Sequence, residues 1–288
     1  MLVRRLALPM LGVMISSVAC TGAGFDSAPE GDAPARVSGV LFVERTQGTS
    51  GAGVQVGARF VRFIGVADDA LPDLVGTPAM PRVGACVAQG TAAGEALDPL
   101  RSEVRLLDVG PIDVTAGGRS IRLAPRRFPD LWNVVSGTLY GAEADLPAGE
   151  WRFAAGGSAG AGMGGFEVAS VAPQSPMGVR VGSVALPLGE TETLLIPRGG
   201  MIPVRWEREH QDDRVAVRFD GDGSLVCGAL DVGVLNLDAG NAERAREVLR
   251  GGGTVSVHRV RTVPFAARGL DAATLVFDHA VRARARVE

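Results

Sequence analysis

The chain has 288 residues, 46% of them hydrophobic, and a formal net charge of -3. Its 29 Lys and Arg residues are all arginine, and an acidic balance without a clustered basic face argues against a nucleic-acid partner. With 40 glycines, 17 prolines and a single tyrosine, Tyr140, the composition favours an all-β chain with many tight turns and disfavours a sugar-binding surface of stacked aromatic rings.

In chain order, the first element is MLVRRLALPMLGVMISSVAC: Arg4 and Arg5, an apolar run from Leu6 to Val18, then a small-residue cleavage site. Val18, Ala19 and Cys20 match a lipobox, in which the cysteine is diacylated and becomes the new N-terminus, although Ser17 stands where Leu, Val or Ile is usual. The run of about 13 residues is shorter than the roughly 20 a spanning helix needs. Residues 1–19 are therefore expected to be a lipoprotein signal peptide and Cys20 the lipidation site. Their removal takes away two arginines and no acid, so the net charge moves from -3 to -5. Thr21, where an Asp favours inner-membrane retention, points to the outer membrane. Residues 20–36 have the small, polar, Pro- and Gly-containing character of a flexible tether.

Strand signals begin at Val37. VSGVLFVER is followed by VQVGARFVRFIGV, in which Val54, Val56, Ala58 and Phe60 alternate as in a half-buried strand. Further runs lie around Cys86 and in EVRLLDV, PIDVT, RSIRLA, EWRFAA and GFEVASV. Residues 67–82 and 89–102 read as long loops, with at most one helical turn at DPLR. The Pro-containing stretch 173–177 reads as a hinge, which divides the body into β-sandwich domains at 37–172 and 178–288. The second half continues with SVALPL, MIPVRWE, DRVAVRFD, SLVCGAL, DVGVLNLD, TVSVHRV and ATLVFDHAVRARARV. One helix is expected at 241–250, with Ala242, Ala245, Val248 and Leu249 on one face and Gly251 behind it.

The two halves share short patterns. LDVGPIDV at 107–114 matches LDVGVLNL at 230–237, and LPAGEWRFAA at 146–155 has the leucine, glycine and strand spacing of LRGGGTVSVH at 249–258. A duplicated β-domain would explain both, and would put Cys86 and Cys227 at equivalent core positions. Those two cysteines, left over once Cys20 is lipidated, have two readings in an oxidising compartment: a disulfide, or two separate buried thiols. The run VRWEREHQDDRVAVRFDGDGSLVCGALDVGVLNL, the helix, Leu249 and GGGTVSVHR resemble uncharacterised lipoproteins of myxobacteria-like organisms over residues 178–288. That resemblance implies β-sandwich domains and carries no indication of an activity.

Four constellations bear on chemistry. Gly156, Ser158 and Gly160 fit GxSxG, and with Asp213 or Asp222 and His258 or His279 would supply a hydrolase triad, but AGMGGF follows where a nucleophile elbow needs a helix. Gly160, Gly162 and Gly165 fit GxGxxG, again without the required helix. His210, Asp212, Asp213, Asp220 and Asp222 form an acidic cluster; DGDGS resembles the start of a calcium loop, with Asp220 and Asp222 as ligand candidates, but Leu225 and Asp231 depart from that loop and Asp-Gly pairs also build hairpins. Arg282, Arg284 and Arg286 alternate along one sheet face, either facing an anionic partner or guarding an edge strand.

The expectation is a lipid-anchored envelope protein with two tandem β-sandwich domains, no cofactor, no metal and a non-catalytic structural or binding role. Its partner would be an envelope protein or polysaccharide. The alternatives are an envelope serine hydrolase using Ser158 and a calcium-stabilised adhesion module.

Overall fold

Alternating apolar residues make most of this chain strand, and the pairing of those strands decides everything else. A computed structural model describes residues 35–48, 51–64, 80–89, 103–131, 135–189 and 191–288. Cys20, the signal segment and most of the tether lie outside these residues, as do most of the two expected long loops.

Strands β1 (Arg36–Gly48) and β2 (Gly51–Ile64) form a long hairpin. They are followed by β3 (Cys86–Gln89), β4 (Glu103–Leu106), β5 (Ile112–Ala116), β6 (Arg119–Leu123), β7 (Arg126–Leu131) and β8 (Val135–Glu143). β9 (Glu150–Ser158) and β10 (Met163–Val171) make a second hairpin, joined by a single 3-10 turn at Ala159–Ala161. The C-terminal half contains β11 (Arg180–Val181), β12 (Val184–Ala185), β13 (Leu194–Ile196), β14 (Ile202–Arg205), β15 (Arg214–Asp220), β16 (Ser224–Leu230) and β17 (Val234–Leu237). Helix α1 (Ala239–Val248) precedes the two long closing strands, β18 (Gly253–Pro264) and β19 (Ala272–Val287).

An eleven-stranded sheet runs β3-β16-β15-β18-β19-β1-β2-β4-β8-β7, with β13 added beside the C-terminal end of β19. Two four-stranded sheets, β10-β9-β5-β6 and β12-β11-β14-β17, pack on it and complete the all-β fold. The first encloses a core of Leu41, Phe60, Ile112, Trp151, Phe153, Phe166 and Phe277. The second, with α1, encloses Val204, Trp206, Val217, Phe219, Leu225, Leu249 and Val257. Fully burying one such side chain is worth about 1.5–3 kcal/mol, so each core is a major source of stability.

The segment 173–177 separates these two cores, but it does not separate the sheet. β19 lies between β18 and β1, antiparallel to the former and parallel to the latter. Leu275 and Phe277 enter the first core, and Val281, Ala283 and Ala285 enter the second. β3 leaves the first half to pair with β16, and Pro34–Glu288 form one compact unit. The two sandwiches thus share their long sheet.

That pairing also settles the cysteines. Cys86 lies directly opposite Cys227, and their sulfurs are bonded at 2.03 Å. They face each other across neighbouring strands, so they do not occupy equivalent places in two copies. The shared patterns are partly local: Gly110 and Gly233 both adopt positive φ before a strand of a small sheet. The second pair diverges, since β9 belongs to a small sheet and β18 to the long one.

Helix α1 starts two residues before the expected boundary because Asp238 caps it, accepting from the Asn241 N–H at 2.8 Å. Ala242, Ala245 and Leu249 are fully buried on its inner face. Gly252, at φ 89°, turns the chain into β18.

Candidate functional site

The period of two along β18 puts Ser256 and His258 on the same face, the outer face of the long sheet. That face carries a third, smaller apolar cluster that includes Val40, Val61, Val260 and Val276. Asp278 on β19 sits opposite Val260, one rung from His258, and the residue directly across from His258 is Ala280, whose small side chain leaves the imidazole room to lean toward the carboxylate. The Ser256 hydroxyl lies 2.8 Å from His258 Nε2, and His258 Nδ1 lies 2.8 Å from Asp278 Oδ1. With Nδ1 carrying the proton that Asp278 accepts, Nε2 is the acceptor for the Ser256 O–H.

Glu44 on β1 pairs with Asp278 in register, bringing a second carboxylate to the cluster. Burial and the Asp278 charge push the Glu44 carboxyl above its ordinary value, against the opposing pull of His258, Arg59 and Arg218. Arg218 on β15 lies across from Ser256 and donates to Asp220 at 3.2 Å.

A hydroxyl on an imidazole that is oriented by a carboxylate is the arrangement that activates a serine. Acyl transfer also needs access to the hydroxyl and free N–H donors for the developing oxyanion. Among the described residues, neither is found around Ser256. It has no exposed surface, and its strand is paired on both sides, with β15 and with β19, so the ladder occupies the backbone. Within the described residues, Ser256, His258 and Asp278 satisfy one another's buried polar groups.

Among the described residues, Ser158 has no such partners. It ends β9 before a 3-10 turn and a return strand, so the helix that a nucleophile elbow requires is not there. Both ring nitrogens of His258 are taken by Ser256 and Asp278. His279 is buried, with both nitrogens out of hydrogen-bond geometry, and His210 is exposed beside Asp212. Asp213 holds Arg261 at 2.7 and 2.8 Å. The glycines of the GxGxxG match lie in or beside the same hairpin and are followed by strand β10.

Asp220 and Asp222 flank the β15–β16 hairpin turn. Asp220 accepts from the Ser224 hydroxyl at 2.6 Å and from Arg218, while Asp222 accepts from the Gly251 N–H at 3.2 Å. Among the described residues, no three His, Cys, Asp or Glu side chains converge as a metal site. The calcium reading therefore has only the two carboxylates with which it began.

A second polar layer lies between the two cores. Arg259, 1% exposed, donates to the carbonyls of Gln174 and Glu207 at 3.1 and 2.5 Å and pairs with Glu209 and Asp231, each at 3.0 Å. Glu209 also accepts from the Gln174 N–H, and Arg261 donates to the Val171 carbonyl. Residues 173–177 are thus pinned at Gln174. Asp231 accepts from the Trp206 indole at 2.6 Å and from the Glu209 N–H at 2.9 Å. Burial works to raise its pKa, but those donors and Arg259 outweigh it and hold the carboxyl below its ordinary value.

Elsewhere, an open groove of about 620 Å³ is lined by residues that include Phe42, Gln55, Arg126, Leu139 and Glu143. No helix among the described residues is long and apolar enough to cross a membrane.

Ser256, Asp278 and Glu44 were absent from the sequence expectation. The S-x-H spacing in TVSVHRV already placed Ser256 and His258 on one strand face; the register of β18 on β19 was needed to add Asp278. No protein-family model matches the chain, and no curated protein matches it either.

Proposed function

We propose that this protein is a lipid-anchored envelope protein, tethered through Cys20 with the outer membrane favoured, whose double sandwich has a non-catalytic structural or binding role. The observation that carries the non-catalytic part is the burial of Ser256 inside a strand paired on both sides, which leaves its His258–Asp278 relay closed to substrate. The anchor rests on the signal pattern and lipobox at residues 4–20. Fractionation of cells making the Cys20→Ser chain tests it. The variant should leave the membrane fraction, and retention equal to the unmodified chain overturns the anchor.

A serine hydrolase is the second reading, now favoured at Ser256 rather than Ser158 by the 2.8 Å contacts on either side of His258. A fluorophosphonate probe, which captures activated serines, should leave the protein unlabelled. Labelling that disappears in Ser256→Ala and persists in Ser158→Ala would instead establish the hydrolase.

A further inference from the structure

The tail of β19 reads VRARARV, and its alternation projects Arg282, Arg284 and Arg286 to one face while Ala283 and Ala285 enter the second core. All three arginines are exposed. Charged residues in this pattern commonly protect the open edge of a sheet from unwanted pairing. β19 has no long edge to protect: β18 covers one side as far as Ala285, and on the other side β1 pairs as far as Val281 and β13 takes over at Ala285, leaving only residues 282–284 unpaired between them. The arginines stand on a strand in the interior of an eleven-stranded sheet.

Three other exposed arginines are neutralised nearby: Arg119 pairs with Asp145, Arg122 with Asp113 and Arg152 with Glu167. Arg82, Arg105, Arg126, Arg127, Arg205, Arg208, Arg250 and Arg268 are exposed singly or in pairs without a side-chain partner among the described residues, so the stripe is distinguished by its regular row of three. Arg282, Arg284 and Arg286 have no ion pair and no side-chain hydrogen bond among the described residues. Their rung neighbours on β18 are Ser256 and Thr254, and Leu195 lies beside Arg286. The carboxylate in the Arg284 rung, Asp220, is one strand beyond Thr254 and is engaged by Arg218 and Ser224.

We propose that Arg282, Arg284 and Arg286 form a docking stripe for a linear, carboxylate-bearing polysaccharide. Alternate residues of a strand are about 6.6 Å apart, so the three guanidinium groups form a row about 13 Å long. A row of unpaired charges complements a linear polymer with a regular series of opposite charges, and each guanidinium fork matches one carboxylate in a bidentate pair. A bilayer with anionic headgroups is the weaker match. β1 enters the body beside Ala272, ten residues and roughly 33 Å from Arg282, so a chain tethered at its N-terminus carries the stripe at the end remote from the entry of the tether. The choice of polymer over bilayer rests on the anchored reading above; the stripe does not.

Fluorescence anisotropy with labelled polygalacturonate fragments tests the site on the full chain. Binding should weaken with added salt, as contacts between unpaired charges do. The triple variant Arg282→Gln, Arg284→Gln, Arg286→Gln should lose about tenfold or more in affinity, the scale of a few charge-assisted contacts, with its melting temperature unchanged. A control triple with the same change in net charge, at Arg119, Arg122 and Arg152, should lose little. Absence of polygalacturonate binding, an equal loss in both triples, or stripe-dependent binding to phosphatidylglycerol vesicles in place of the polymer would each overturn the proposal. Because the probe is soluble, these outcomes are separate from the Cys20→Ser fractionation, which tests the anchor alone.

Discussion

Two histidines in neighbouring strands of one sheet meet opposite fates. His258 has both nitrogens engaged, whereas His279, on the other face and 1% exposed, has no partner in full hydrogen-bond geometry among the described residues and only the Pro173 carbonyl nearby. Burial and the nearby Arg45 push the His279 pKa down to about 4 from 6.5, against the weaker upward pull of Asp278 and the Pro173 carbonyl. In the unfolded chain the imidazole takes a proton as the pH falls through 6.5, while in the folded chain it waits until about 4. The unfolded state therefore binds more protons in that window, and stability present above pH 6.5 is lost as the pH drops toward 4. At 1.36 kcal/mol per pKa unit the loss is about 3 kcal/mol. Urea unfolding at a series of pH values should show this slope in the unmodified protein and a shallower one in His279→Phe. Equal slopes would show that other groups control the acid sensitivity.

At the scale of single elements, much was legible because it was local. The alternation of Val56, Ala58 and Phe60 places them in the core, and Asp238, Ala242, Ala245 and Leu249 delimit and orient the one α-helix among the described residues. Strands β7 and β8 were not legible. Pro129 interrupts the first, while Gly137 and Gly141 dilute the apolar pattern of the second. Gly137 is required by a long-range contact: at φ 125° it passes so close to β4 that a Cβ would lie 1.9 Å from the Leu106 carbonyl oxygen. Gly57 likewise yields its space to the Phe42 ring, at 2.2 Å from where a Cβ would be. Each glycine weakens the local strand signal in order to satisfy a neighbour far along the chain. The same holds for the candidate site. Ser256 and His258 share a face by local spacing, but Asp278, Glu44 and the Cys86–Cys227 bond, which spans 141 residues, depend on strand register that no local pattern encodes. Arg282, Arg284 and Arg286 were visible as an alternating row, but only the strand order, which sets β19 between β18 on one side and β1 and then β13 on the other, shows that the row is not on an outer edge of the sheet.

At the scale of the whole molecule, two cores joined by a hinge would ordinarily unfold as two units. Here β19 contributes Phe277 to one core and Val281 to the other within five residues, and β18 and β1 flank it. Melting either core strips partners from the strand that the other core needs. The disulfide joins β3 to β16 across the same division, and Arg259 fastens Gln174 between the cores. Calorimetry should therefore show one transition for the unmodified body. Phe153→Ala empties a fully buried site in the first core and Phe219→Ala one in the second, each costing about 3–5 kcal/mol. If the shared sheet couples the cores, either substitution lowers the whole transition without dividing it. If Phe153→Ala instead produces an early transition and leaves a later one at the original temperature, the second sandwich holds β19 by itself, and the sheet is continuous in geometry but not in energy.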